Sequence, residues 1–207
     1  AEAANLFFSE YAEGSSNHKY LEIYNASPDD VDLGGYTLSS CSNGCPDNMT
    51  FQYPDNVTFE PGTLLEVGEV YVVCHQSADE IIQAECDQTF TYLSNGDDVF
   101  ALTQAGTGLV LDIIGVVGDD PGSGWDVAGV ANATKDHTLV RKAEVLQGNP
   151  LWLNNVDPDT GEVLGQGSAG NSPDDSEWVV LDQNTWDYVG YHPHDFSSVD
   201  IEGCMDP

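Results

Sequence analysis

The chain has 207 residues, enough for one sizeable domain with its own core, and 40% of them are apolar. Thirty-six Asp and Glu stand against four Lys and Arg, a formal net charge of −32. That balance argues against nucleic-acid binding, which rests on neutralising phosphates with Lys and Arg, and no apolar run approaches the roughly 20 residues that membrane insertion of a helix needs.

Residues 6–12 are apolar and aromatic and predict a strand. Residues 19–24 alternate, with Leu21 and Ile23 on one face and Tyr20, Glu22 and Tyr24 on the other. Ser27-Pro28-Asp29-Asp30 turns the chain, and Gly34-Gly35 leads into a strand at 36–39. Strands follow at 57–59 and 70–74. Ser77-Ala78-Asp79-Glu80 reads as a capping box for one short helix, whose apolar face is Ile81, Ile82 and Ala84. Residues 90–93 and 99–102 flank Asn95-Gly96 and predict a hairpin. A long strand is expected at 109–117, then strands at 138–141 and 178–181. About nine strands and one helix at this spacing predict an all-β sandwich in a single domain.

These blocks, in this order, resemble the lamin tail domain family of extracellular proteins. The likeness is carried by Phe7-Phe8-Ser9-Glu10-Tyr11, Lys19-Tyr20-Leu21-Glu22-Ile23-Tyr24-Asn25, Val31-Asp32-Leu33-Gly34-Gly35-Tyr36-Thr37-Leu38 and Asn95-Gly96-Asp97-Asp98-Val99-Phe100-Ala101-Leu102. Downstream, Gly124-Trp125, His137-Thr138-Leu139-Val140-Arg141-Lys142, Gly148-Asn149-Pro150 and Glu177-Trp178 continue it. The resemblance covers about residues 5–192. It implies an immunoglobulin-like β-sandwich and an accessory or interaction fold without catalytic residues. Two polar insertions, 41–62 and 154–176, depart from the family pattern and are where features particular to this protein are expected. The sandwich domain is taken as 1–195, with 196–207 as a tail or linker.

Five Cys suggest disulfides and an oxidising compartment, so an extracellular location, secreted or at the cell surface, is expected. Cys74 and Cys86 would staple a strand to the helix, worth roughly 3 kcal/mol in the chain-entropy model, and Cys41 and Cys45 would close a small loop. A crossed pairing, or zinc held by these Cys with His75, are the alternatives. Cys204 is left over, in Gly203-Cys204-Met205-Asp206-Pro207, which resembles the start of a Cys- and Asp-rich calcium-type repeat; an intermolecular disulfide is the other reading. Glycosylation sequons stand at Asn25, Asn48, Asn56 and Asn132, with Pro28 directly after the first. Residue 1 is Ala with no leader before it, consistent with a processed chain or a piece of a longer one.

The acidic excess fits solvation in a saline exterior, where charge is screened over roughly 3 Å at 1 M salt, or divalent-cation binding. Asp119 and Asp120 with Asp126, and Asp157 with Asp159 and Glu162, are the calcium candidates; Asp97-Asp98 and Asp174-Asp175 are similar clusters. None has EF-hand spacing. Three of the four cations, Lys135, Arg141 and Lys142, cluster, so the rest of the surface should be almost free of positive charge. His192 and His194 read as part of a solvated tail. Trp125 and Trp178 read as core, leaving Trp152 and Trp186 freer. Catalytic motifs such as G-x-S-x-G and H-E-x-x-H are absent from the sequence. The expected role is a non-catalytic structural or adhesive module of an extracellular surface or filamentous assembly, with other protein chains, copies of itself among them, as partners. The alternatives are an accessory domain of a secreted nuclease or phosphatase and a calcium-dependent carbohydrate binder.

Overall fold

The computed structural model describes residues 4–47 and 49–196. Fourteen strands and one helix follow in chain order among them: β1 Leu6–Glu13, β2 Lys19–Asn25, β3 Val31–Asp32, β4 Tyr36–Cys41, β5 Tyr53–Thr58, β6 Leu64–Leu65, β7 Val70–Cys74, α1 Glu80–Glu85, β8 Gln88–Thr89, β9 Val99–Gln104, β10 Val110–Ile114, β11 His137–Arg141, β12 Asn155–Val156, β13 Val163–Gly165 and β14 Trp178–Asp182. A six-stranded sheet runs β14-β11-β1-β2-β7-β8 and a four-stranded sheet runs β10-β9-β4-β5; all neighbours are antiparallel except β7 and β8. Phe8, Leu21, Ile23 and Leu139 from the first sheet meet Leu38, Val57, Phe100 and Leu102 from the second in one core. The result is an immunoglobulin-like β-sandwich, with β12–β13 and β3–β6 as small ribbons. Nine of the expected strands form, the one at 90–93 does not, and the other five are short pieces of two or three residues in the connections and the second insertion.

The sequence Phe7-Phe8-Ser9-Glu10-Tyr11 places aromatics at adjacent positions, which a regular strand would send to opposite faces. A bulge between Phe8 and Glu10 resets the alternation, so that Leu6, Phe8 and Tyr11 all enter the core. On β2, Leu21 and Ile23 point inward as their alternation predicts. The other face of that strand is equally buried. Tyr20 and Val72 lie under Ile82 of α1 and Val189, and the Cys74–Cys86 disulfide ties the end of β7 to the residue that ends the helix. A second disulfide, Cys41–Cys45, closes the turn after β4.

Three local expectations are corrected. The helix begins two residues later than the capping box implied: the Asp79 carboxylate accepts the Ile81 N–H at 3.0 Å, while the Ser77 N–H donates to His75 Nδ1. Residues 90–98 are a loop, not half of a hairpin, and β9 pairs instead with β4 and β10. Both edges of β9 are taken by β4 and β10, and the loop is held by Lys19, whose buried ammonium donates to Ser94 O at 2.7 Å and Asn95 Oδ1 at 2.8 Å. The strand expected over 109–117 ends at Ile114, because Gly115 turns to φ +91°, where a Cβ would lie 2.7 Å from the Trp125 ring.

A buried polar contact joins the sheets. Asp112, in the middle of β10 and fully buried, accepts the Phe8 N–H at 2.8 Å through Oδ2. Its Oδ1 accepts Arg141 Nη2 at 3.0 Å and the Asn149 N–H at 2.9 Å. Phe8 needs such an acceptor because β11 pairs with β1 only from Glu10 onward, so its amide has no strand partner on that side. Arg141 is also fully buried; Glu177 Oε2 lies 3.0 Å from Nη2, and the guanidinium stacks 4.3 Å from the Trp178 ring and 5.5 Å from that of Phe7. Burial raises the Asp112 carboxyl above the ordinary carboxylate range, while Arg141 and the two amides pull it back.

Removing one member of a buried ion pair strands the other. Asp112→Asn is expected to cost about 3–5 kcal/mol in urea unfolding at pH 7, and the double variant Asp112→Asn/Arg141→Met less than the sum of the two single changes. Additive losses would show that the pair does not act as a unit.

Candidate functional site

The distribution of the four cations decides the character of the surface. Arg141 is inside the sandwich, and Lys19 is buried, 3.1 Å from Glu13. Lys142 is half-buried and donates to Pro173 O at 2.6 Å; Lys135 alone among the four is exposed. The expected cluster of Lys135, Arg141 and Lys142 is therefore not a surface patch. Half of the positive charge is spent internally, and the exterior is more uniformly anionic than the sequence count conveys.

The acidic candidates for calcium are engaged in turns. Asp126 Oδ1 accepts the Asn132 N–H, Asp120 Oδ1 accepts that of Gly122, and Asp157 Oδ1 accepts those of Asp159 and Thr160. Asp119 is exposed beside the Cys41–Cys45 loop, its carbonyl packed against Gly44. Among the described residues no three His, Cys, Asp or Glu side chains converge as a metal ion would require. The four thiols that a zinc site would have drawn on are consumed in the two disulfides.

Asn25 is corrected as a glycosylation site. Its side chain is fully buried, with Nδ2 donating to the carbonyls of Asp29, Leu65 and Glu66 and Oδ1 accepting the Ser27 N–H. Asn132 is exposed, Asn56 is half-buried and donates to Ser40 Oγ, and Asn48 lies outside the described residues, as does Cys204 with the repeat-like segment around it. Trp152 is corrected as well: it is buried against Trp178, with ring centroids 6.3 Å apart, and Trp186 is half-buried against His18. The aromatic platform a carbohydrate binder would present is thus mostly core.

His192 and His194 are not a solvated tail; both are buried on the outer face of the six-stranded sheet. His192 packs edge-on against Phe7 and Tyr24. His194 reaches the least expected feature of the fold, a pair of carboxyls. Glu10 and Glu22 sit directly opposite each other on β1 and β2, both fully buried. Tyr20 donates to Glu10 Oε2 at 2.5 Å, and His194 Nε2 lies 3.4 Å from Glu10 Oε1. Ser9 and the Gly190 N–H donate to the two oxygens of Glu22, each at 2.7 Å. Burial pushes Glu10 up to about 8, and burial with the opposing Glu10 charge raises Glu22 well above its ordinary value. Burial also lowers both imidazoles, His192 to about 4. The pair is sealed under residues 187–196 and lines none of the main surface depressions.

Two depressions matter for binding. The larger, about 990 Å³, is an acidic cleft that includes Asp29, Asp30 and Asp32, but Asp30 and Asp32 already accept backbone amides from Val67, Gly34 and Gly62. The other, about 340 Å³, is apolar. Val110, Ile113, Val116 and Val117 form its floor; Met49 and Phe51 of the first insertion and Leu151 and Leu153, which lead into the second, form its walls. Nothing local in the sequence joins 49–51 to 151–153, which is why the groove escapes sequence reasoning. Glu22 and Asp112 carried a usable signal, since each is the one carboxylate of its strand, and Glu10 stands among aromatic residues in β1.

With that geometry in view, comparison with known proteins gives two findings. The family model described as Lamin Tail Domain matches residues 1–118. A crystal structure of a DUF4876 family protein from Bacteroides thetaiotaomicron is similar in fold, with a TM-score of 0.50 at 11% identity over 93% of this chain and 75% of that one. Among curated proteins nothing matches.

The carboxyl pair makes stability pH-dependent in a stated direction. Carboxyls held above their ordinary value of 4.5 contribute stability that is complete below that pH and lost as the pH rises through about 8. Glu10→Gln/Glu22→Gln mimics the protonated pair and should melt near the wild type at pH 5. It should gain on the wild type by about 5 °C by pH 9, where 1 kcal/mol moves a domain of this size by about 2–4 °C. Parallel melting curves across that range would contradict the assignment.

Proposed function

This chain belongs to the lamin tail domain family, and on that footing we propose that it is a non-catalytic structural or adhesive module of an extracellular assembly, working through contacts with other protein chains. The observation that carries this reading is the partition of charge. Most of the 36 acidic residues face outward with Lys135 as the one exposed cation, because Arg141 and Lys19 are spent inside. Such a surface stays soluble in salt, repels nucleic acid and anionic membranes, and favours cationic partners. Two disulfides support an oxidising, extracellular setting, and no helix among the described residues is long and apolar enough to cross a membrane. The absence of catalysis is supported by the family and by the Glu10–Glu22 pair, whose protons no substrate reaches through the overlying segment.

Cross-linking in the native extracellular fraction tests the reading. A carboxyl-directed dihydrazide reagent suits a surface with a single exposed lysine. It should recover cross-links between this chain and other protein chains, diminished by 1 M salt. Recovery of the chain only as an uncross-linked monomer, at any salt, would remove the proposal.

A further inference from the structure

The apolar groove at the β10 edge is the part of the surface least suited to water. β10 is the end strand of the four-stranded sheet. The other end, β5, is blunted: it contains Pro54, which has no N–H, and Asp55 at φ +50°. β10 and the residues after it instead present Val110, Ile113, Val116 and Val117. The walls leave Met49 82% and Leu153 47% exposed, and the apolar surface continues along the β12–β13 ribbon through Val156, Val163 and Leu164. Trp152, which also lines the groove, keeps its indole N–H buried without an acceptor.

The rim is acidic. Asp47 comes two residues before Met49, Asp119 and Asp120 come two and three after Val117, and Asp157, Asp159 and Glu162 lie at the turn between β12 and β13. A second copy of this chain would bring its own predominantly acidic surface, with only one exposed lysine to offset it. The volume, about 340 Å³, admits a few side chains and not a folded domain.

We infer that this groove docks an extended segment of a different protein, two or three apolar side chains flanked by Lys or Arg. The apolar residues fill the groove, and the flanking cations answer the anionic surface of the chain around it. This deepens the adhesive reading and rests on it, but the two fail in different ways.

The test uses the full chain and three labelled synthetic peptides in fluorescence anisotropy: a Val-Leu-Val-Ile core flanked by Lys pairs, the same core flanked by Glu pairs, and a Lys-flanked Gly-Ser core. The first should bind saturably, and at least tenfold more tightly than the other two. Met49→Asp and Leu153→Asp, both at exposed positions that leave the core intact, should each weaken it at least tenfold. Tight binding of the Lys-flanked Gly-Ser peptide, unaffected by these changes, would overturn the groove while leaving the acidic-surface reading standing. Equal binding of the Glu-flanked peptide would overturn the charge assignment. No binding of the first peptide, or a concentration-dependent dimer abolished by Leu153→Asp in sedimentation velocity, would overturn the proposed occupant. Loss of all cross-linked partners would instead remove the adhesive reading itself.

Discussion

The structure depends on a single carboxylate placed where none should be comfortable. Asp112 sits between the two sheets, and an ion there is tolerated only if its lone pairs and charge are answered. Phe8, Arg141 and Asn149 answer them, and each commits a different part of the chain: the bulged first strand, the end of β11, and the connection toward the second insertion. Arg141 in turn needs Trp178 and Glu177 around it. Asn149 links the two acids, through its N–H to Asp112 and its side-chain amide to Glu177. The packing of one sheet on the other is thus tied to a hydrogen-bond geometry that apolar burial alone could not specify.

The same logic organises the remaining buried charges. Among the described residues four carboxylates are buried, Glu10, Glu13, Glu22 and Asp112, and so are two cations, Lys19 and Arg141. Lys19 matches Glu13 and Arg141 matches Asp112, which exhausts the buried cations. Glu10 and Glu22 are left facing each other, and protons take the place of the missing lysine or arginine. In a chain with so few basic residues the opposed acids are answered by protonation together with hydrogen bonds from Tyr20, Ser9 and Gly190, and the outward-facing acids are left to water.

Much of this was legible in the sequence, and the gaps have physical causes. The alternation in β2 and the apolar strands of the core follow directly from side-chain period. The two-faced burial of the six-stranded sheet does not, because residues 183–196 mix Asp, Tyr and His with Trp and Val and carry no periodicity that would betray a covering segment. His192 and His194 were read as solvated for that reason. At Asn95-Gly96 the local turn signal lost to the pairing of β9 with β4 and β10, and Lys19, far away in sequence, holds the resulting loop. The Asn25 sequon is intact as a pattern, yet its amide is already used to bind three carbonyls. Composition showed the acidic excess but not that two cations would vanish inward, since burial of a charge depends on partners that only the fold brings together.

The withdrawal of Lys19 and Arg141 also bears on how this molecule meets proteases. Enzymes of the trypsin class cleave after basic side chains, and this chain offers four such positions in all. In the folded state two are inside the sandwich, and a third, Lys142, is held by hydrogen bonds from its amide to Glu177 O and from its ammonium to Pro173 O. Lys135 alone has an exposed side chain, and even there the peptide bond that follows is engaged, the Asp136 N–H donating to Glu13 Oε2 at 2.6 Å and Lys135 O lying 2.7 Å from His137 Nδ1. An arrangement that begins as a solution to burying acids therefore leaves the folded protein nearly invisible to an entire class of digestive enzyme.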